Sequence, residues 1–137
     1  MNQAYTSAFN KAFGKASNLI KNPAGISALL INVGNKIVSG KSSIQDIKKD
    51  LLLLVRLIKR WSKGEYKDVS KKTIVSIIAT LLYFVNPIDI IPDILPIIGF
   101  ADDTAILLYV LNLVGHEVDS FKEWERLETV NKVTKEL

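Results

Sequence analysis

A chain of 137 residues is the size of one ordinary domain, able to bury a core without covalent staples, and with no cysteine it has neither disulfides nor thiolate chemistry. Hydrophobic residues at 48% and a mean hydropathy of +0.21 are high for a soluble domain, yet too low for a polytopic membrane protein, whose apolar spans would fill most of the chain. The net charge is unevenly divided: residues 1–40 carry Lys11, Lys15, Lys21 and Lys36 and no acid, a net of +4, residues 41–72 a net of +6, and residues 73–137 a net of −6. Such a division means that the first half either faces an anionic surface or packs against the acidic second half.

The first ten residues lack a basic start followed by an unbroken apolar run, so a secretory signal is not expected. Instead Tyr5, Phe9, Ala12, Phe13, Ala16 and Ile20 recur at helical spacing with lysines between them, which predicts a basic amphipathic helix, either a membrane-surface anchor or a helix docked on the main domain. Asn22-Pro23 reads as an N-cap followed by proline at the first helical position, where its missing N–H costs nothing. Ile26, Leu29, Leu30, Val33 and Ile37 then form an apolar stripe, weakened by Gly34 and closed by Gly40.

A third helix is expected from Ser42 or Ser43, with Ser43 as cap and Asp46 in the first turn, and Gly64 should end it. Its core face is Ile44, Ile47, Leu51, Leu54, Val55, Ile58 and Trp61, with Asp46, Lys49, Arg56, Lys59, Arg60 and Lys63 mostly opposite. After a short polar connection, Thr73 to Asn86 is apolar all round, as is Thr104 to Gly115, which continues into a helical stripe of Val118, Phe121, Trp124 and Leu127. At about 1.5 Å per residue, neither all-apolar segment comfortably reaches across a hydrocarbon core of about 30 Å. Two placements remain: a helical hairpin in the core of a compact bundle, or one embedded in a bilayer with the basic half on the cytoplasmic side.

Between those segments lies NPIDIIPDILPIIGFADD, Asn86 to Asp103, where Pro87, Pro92, Pro96 and Gly99 interrupt the apolar run and Asp89, Asp93, Asp102 and Asp103 concentrate acid. Together with its flanks, YFVNPIDIIPDILPIIGFADDTAILLYVLNLV from Tyr83 to Val114 resembles the core of the YkvA-like family, a small bacterial domain of unknown function. Ten positions in eighteen of the pattern N-P-x-D-x-I-P-D-x-x-P-x-x-G-x-x-D-D are matched, at Asn86, Pro87, Asp89, Ile91, Pro92, Asp93, Pro96, Gly99, Asp102 and Asp103. The resemblance extends back to about Ser70 and less surely to the helix at 43–63, while residues 1–40 have no counterpart. It implies membrane association, as family members are often described, and assigns no catalytic residue.

The aspartates carry two readings. Asp89, Asp93, Asp102 and Asp103, brought together without His or Cys, suit a hard cation such as Mg²⁺ or Ca²⁺. Equally, each has a structural use near a helix start, where a carboxylate accepts from free N–H groups, and any left over can pair with Arg56 or Arg60. The only histidine, His116, comes without a serine or cysteine nucleophile pattern. Trp61 and Trp124 fit interface anchors or core edges equally well. The basic run Lys59 to Lys72 lacks interleaved aromatics and any nucleic-acid reading motif, so lipid headgroups rank above nucleic acid as its partner.

The sequence thus predicts an all-α protein, a small helical bundle built around an apolar helical hairpin with a Pro/Asp-rich corner. Residues 1–40 are expected to form a basic amphipathic extension and residues 41–137 the YkvA-like domain. The function expected is that of a non-enzymatic membrane-associated module, binding a lipid surface or a membrane protein through the apolar hairpin and the basic first half, with that half cytoplasmic. The alternative is a soluble cytoplasmic helical protein with an Asp-rich divalent-cation site, hydrolytic in function.

Overall fold

The computed structural model describes residues 3–39, 42–85 and 103–136. Among these the chain is all-α, with five helices and no strand: α1 (Gln3–Leu19), α2 (Pro23–Val38), α3 (Ser42–Ser62), α4 (Lys71–Val85) and α5 (Asp103–Glu136). The corner from Asn86 to Asp102, and with it the expected roles of its prolines and of Gly99, lies outside the described residues, as does Gly40.

Local chemistry explains several of the boundaries. Asn22 sits in an extended conformation and its side-chain oxygen accepts from the Gly25 N–H at 3.0 Å, with Pro23 opening α2 as expected. The turn after α3 is a Schellman closure. Gly64 takes a φ of 74°, its N–H donates to the Trp61 carbonyl at 3.0 Å, and the Glu65 N–H reaches back to Arg60 at 3.0 Å. Ser70 caps α4, its hydroxyl oxygen accepting from the Thr73 N–H at 3.2 Å.

α4 is the central element, in contact with all four of the other helices. Every residue from Thr73 to Leu81 is buried, followed by Tyr83 and Phe84. An all-apolar circumference is what a helix needs when neighbours surround it. Its polar groups are accommodated: the Thr80 hydroxyl donates to the Ser76 carbonyl at 2.9 Å, and no buried side-chain polar atom among the described residues lacks a partner. α4 thus lies in the core of a helical bundle. Among the described residues, no helix is long and apolar enough to cross a membrane.

The second all-apolar segment opens α5 and continues into the Val118 to Leu127 stripe as expected, with the side chains of residues 103–109 outside the described ones. The helix runs for 34 residues, about 51 Å, passing through Gly115 without a break. From Val110 onward it is one-sided, with Val110, Val114, Val118 and Phe121 buried while Asn112 and Leu113 are exposed. It packs mainly on α4 and α3.

α3 buries a wider face than the predicted stripe. Ile47, Leu51, Leu54 and Ile58 are buried as expected, but so are Leu53 and Leu57, because α3 packs against α2, α4 and α5. The first two helices belong to the same packed body. Ala16 is fully buried, Phe13, Leu19 and Ile20 pack against the core, and Ile26, Leu29, Val33 and Ile37 of α2 are buried. α1 is thus a docked helix, lying mainly on α4.

Candidate functional site

The division of charge is resolved differently in different parts of the molecule. On one flank it is used internally, at the seam between α3 and α5. Arg56 donates from Nε to Glu125 Oε2 at 2.8 Å and from Nη2 to Oε1 at 3.2 Å, the two-pronged geometry that suits guanidinium to carboxylate. Arg60 pairs with Glu65, lies 3.5 Å from Glu128 Oε1, and sits over Trp124 with 5.5 Å to the ring centre. Trp124 in turn belongs to a cluster with Tyr66 and Phe121, whose ring centres are 5.0 and 5.8 Å away. That makes Trp124 an edge of the core. Burial raises the Tyr66 phenol above its ordinary pKa, aided by the nearby Asp68 and Glu117.

The corner aspartates expected as partners of Arg56 and Arg60 lie outside the described residues; among the described ones Arg56 meets Glu125 of α5, and Arg60 meets Glu65 of the preceding turn and Glu128 of α5. A groove of about 690 Å³ runs beside the seam, lined by Lys49, Asp50, Arg56, Lys122, Glu125 and Arg126 among others. Its cations are largely compensated. Besides the Arg56–Glu125 pair, Arg126 donates to both oxygens of Glu123 at 3.1 and 2.7 Å.

A second polar junction ties α5 to the start of α4. Glu117 accepts from the Ser70 N–H and from the Ser70 hydroxyl, each at 3.1 Å, and the Thr73 hydroxyl lies 3.1 Å from that of Ser70. Burial pushes the Glu117 pKa up, but the hydrogen bonds from Thr73 and Ser70 and the neighbouring His116 outweigh it, so the carboxyl sits below its ordinary value.

At the other end of α4, Lys36 of α2 turns inward. Its ammonium donates to the Phe84 carbonyl and lies 4.6 Å from the centre of the Phe84 ring. A cation there complements the negative end of the helix dipole. Lys36 is therefore spent on structure. Lys11, Lys15 and Lys21 are exposed, and residues 1–40 contain no acid.

The outward side of α2 is a feature that the sequence reading passed over. Ala24, Ser27, Ala28, Ile31, Asn35 and Val38 are exposed, with Ile31 at 64% and Val38 at 87%. None of them is charged, and the only charged residue of α2 is Lys36. The signal was present, because Ile31 and Val38 are apolar residues seven apart that fall off the predicted core stripe.

Of the candidate cation ligands, Asp89, Asp93 and Asp102 lie outside the described residues. Asp103 is the first residue of α5, at the helix start where a capping or first-turn carboxylate was expected, and its side chain also lies outside them. His116 is exposed.

Comparison with known proteins agrees with the motif. Residues 73–109 match the model of a family described as a protein of unknown function, DUF1232. Over 91 residues, 66% of this chain and 86% of the relative, the sequence is 29% identical to a Bacillus subtilis (strain 168) protein named uncharacterized membrane protein YkvA. No solved structure matches the chain significantly. The matched family segment takes in most of α4, the Pro/Asp corner and the first turns of α5, so the chain carries the DUF1232 core and is a distant homologue of the Bacillus subtilis protein.

Proposed function

We propose that the protein is a non-enzymatic, membrane-associated helical module that binds an anionic lipid surface through its basic first half, with that half on the cytoplasmic side. The observation that carries this reading is the fate of the cations. Arg56 and Arg60 are matched by Glu125, Glu65 and Glu128, and Lys36 is turned onto α4. Lys11, Lys15 and Lys21 face solvent in a segment without a single acid. Cations of that kind attract anionic headgroups with about 1 kcal/mol each when held near the surface.

The apolar hairpin has no part in this binding as far as α4 is concerned, because that helix is covered by its four neighbours. The membrane designation of the Bacillus subtilis relative supports the same reading. Sedimentation with vesicles tests it. The protein should pellet with vesicles containing phosphatidylserine or phosphatidylglycerol, bind neutral phosphatidylcholine far more weakly, and be released as salt rises. Recovery in the supernatant at low salt with every vesicle composition, together with wholly soluble fractionation from cells, would overturn the proposal.

A further inference from the structure

We infer that the outward face of α2 is the part of the molecule that enters the lipid, seating at the boundary between headgroups and acyl chains of an anionic bilayer; this rests on the membrane-binding reading above and names the surface that performs it. Ala24, Ala28, Ile31, Asn35 and Val38 follow one another at intervals of four, three, four and three, so they share one side of the helix. All five are exposed while Ile26, Leu29, Val33 and Ile37 fill the core side. A solvent-facing helix ordinarily keeps charge outward. α2 instead presents alanine, isoleucine, valine and small polar groups, and its one cation points the other way, onto Phe84.

Charge decides which occupant fits. α2 joins α1 through the short turn at residues 20–22, and the two helices with that turn carry exposed Lys11, Lys15 and Lys21 and no acid. Pairing this surface with a second copy of the chain would bring two uncompensated positive segments together, which opposes association. An anionic bilayer complements them: Ala24, Ala28, Ile31 and Val38 gain by leaving water there, and the Asn35 amide keeps hydrogen-bond partners at the level of the headgroups. Adsorption would then have two parts: lysines drawing the protein to the headgroups, and Ile31 and Val38 dipping below them.

The absence of cysteine allows a direct test on the full chain. An environment-sensitive fluorophore is attached through Val38→Cys, with Lys132→Cys on the exposed end of α5 as control. With vesicles containing phosphatidylglycerol, the label at position 38 should shift to the blue and be quenched by spin-labelled lipid, while the label at position 132 should not change. In parallel, the double variant Ile31→Ser, Val38→Ser, which leaves charge untouched, should lower vesicle partitioning about tenfold or more with an unchanged circular dichroism spectrum. If the protein binds vesicles but the label at 38 stays in water and the double variant binds normally, insertion is wrong and purely electrostatic adsorption stands. If it binds no vesicle at all, both readings fall. A blue shift that grows with protein concentration in the absence of lipid would assign the face to a second copy and overturn the inference.

Discussion

α2 and α4 are comparably apolar helices of similar length, and the fold treats them in opposite ways. α4 is enclosed by α1, α2, α3 and α5, so each of its faces has a partner. α2 has neighbours on one side and leaves Ile31 and Val38 in solvent. Both carry their charge outside the helix body or near its ends: Lys71 and Lys72 open α4, and Lys36 lies in the last turn of α2. The comparison teaches that apolarity all round is a property of sequence, whereas burial all round depends on how many neighbours arrive. The helix with apolar surface to spare is the one with something left to bind.

This contrast predicts unequal responses to mutation. The largest effect is expected in α4, where Leu81→Ala should cost about 2 to 5 kcal/mol of unfolding free energy, because the side chain is fully buried and its loss leaves a cavity. Ile31→Ser, the same kind of loss on α2, should stay within about 0.5 kcal/mol in denaturant unfolding. Equal destabilisation by the two would erase the distinction drawn between the helices.

The next effect is on binding. Replacing Lys11, Lys15 and Lys21 together by Gln should weaken association with anionic vesicles by about 3 kcal/mol, roughly a hundredfold, while leaving thermal unfolding almost unchanged. If binding survives, attraction must come from lysines elsewhere, such as those on the outer side of α3.

Smaller effects concern the two ends of α4. Ser70→Ala removes its N-cap and should cost about 1 kcal/mol. The Glu117 carboxylate that accepts from Ser70 has a folded pKa below its unfolded one, so its stabilisation is fully present above the unfolded value and is lost as pH falls through the folded value. Thermal melts of Glu117→Gln should therefore show a shallower decline in acid than those of the parent chain. At the other end, Lys36→Met should cost about 0.5 to 1 kcal/mol through loss of the contact with the Phe84 carbonyl and ring. The smallest effect is expected at the seam: because Arg56 is half exposed, replacing either partner of its pair with Glu125 should cost no more than about 1 kcal/mol, less in high salt.

How far the sequence was legible depends on the range of the interactions involved. The cap at Asn22 and the closure at Gly64 are local, completed within a few residues, and both were readable in the chain. The motif from Asn86 to Asp103 was readable as a family core, since it depends on identities at fixed spacing. The partners of Arg56 and Arg60 were only half readable. A net of +6 facing a net of −6 suggested pairing, but Glu125 is 69 residues from Arg56, and helix periodicity says nothing across that distance. Leu53 and Leu57 were missed because a single stripe assumes one neighbour on one side, and α3 has three. On α2 the stripe was found, but the unpartnered apolar residues beside it were passed over.

By itself the sequence determined an all-α chain, the starts and stops that depend on Asn22, Pro23 and Gly64, a division of charge, and an apolar segment at Thr73 to Asn86 that had to leave water. These are properties of local backbone preference and of side-chain periodicity. Only the tertiary structure decided that α4 leaves water by entering a bundle, that Lys36 and the arginines of α3 are consumed inside the protein, and that α2 is left with an uncharged face in solvent. Those outcomes depend on which surfaces meet, and that is settled by long-range packing, which leaves no period in the chain.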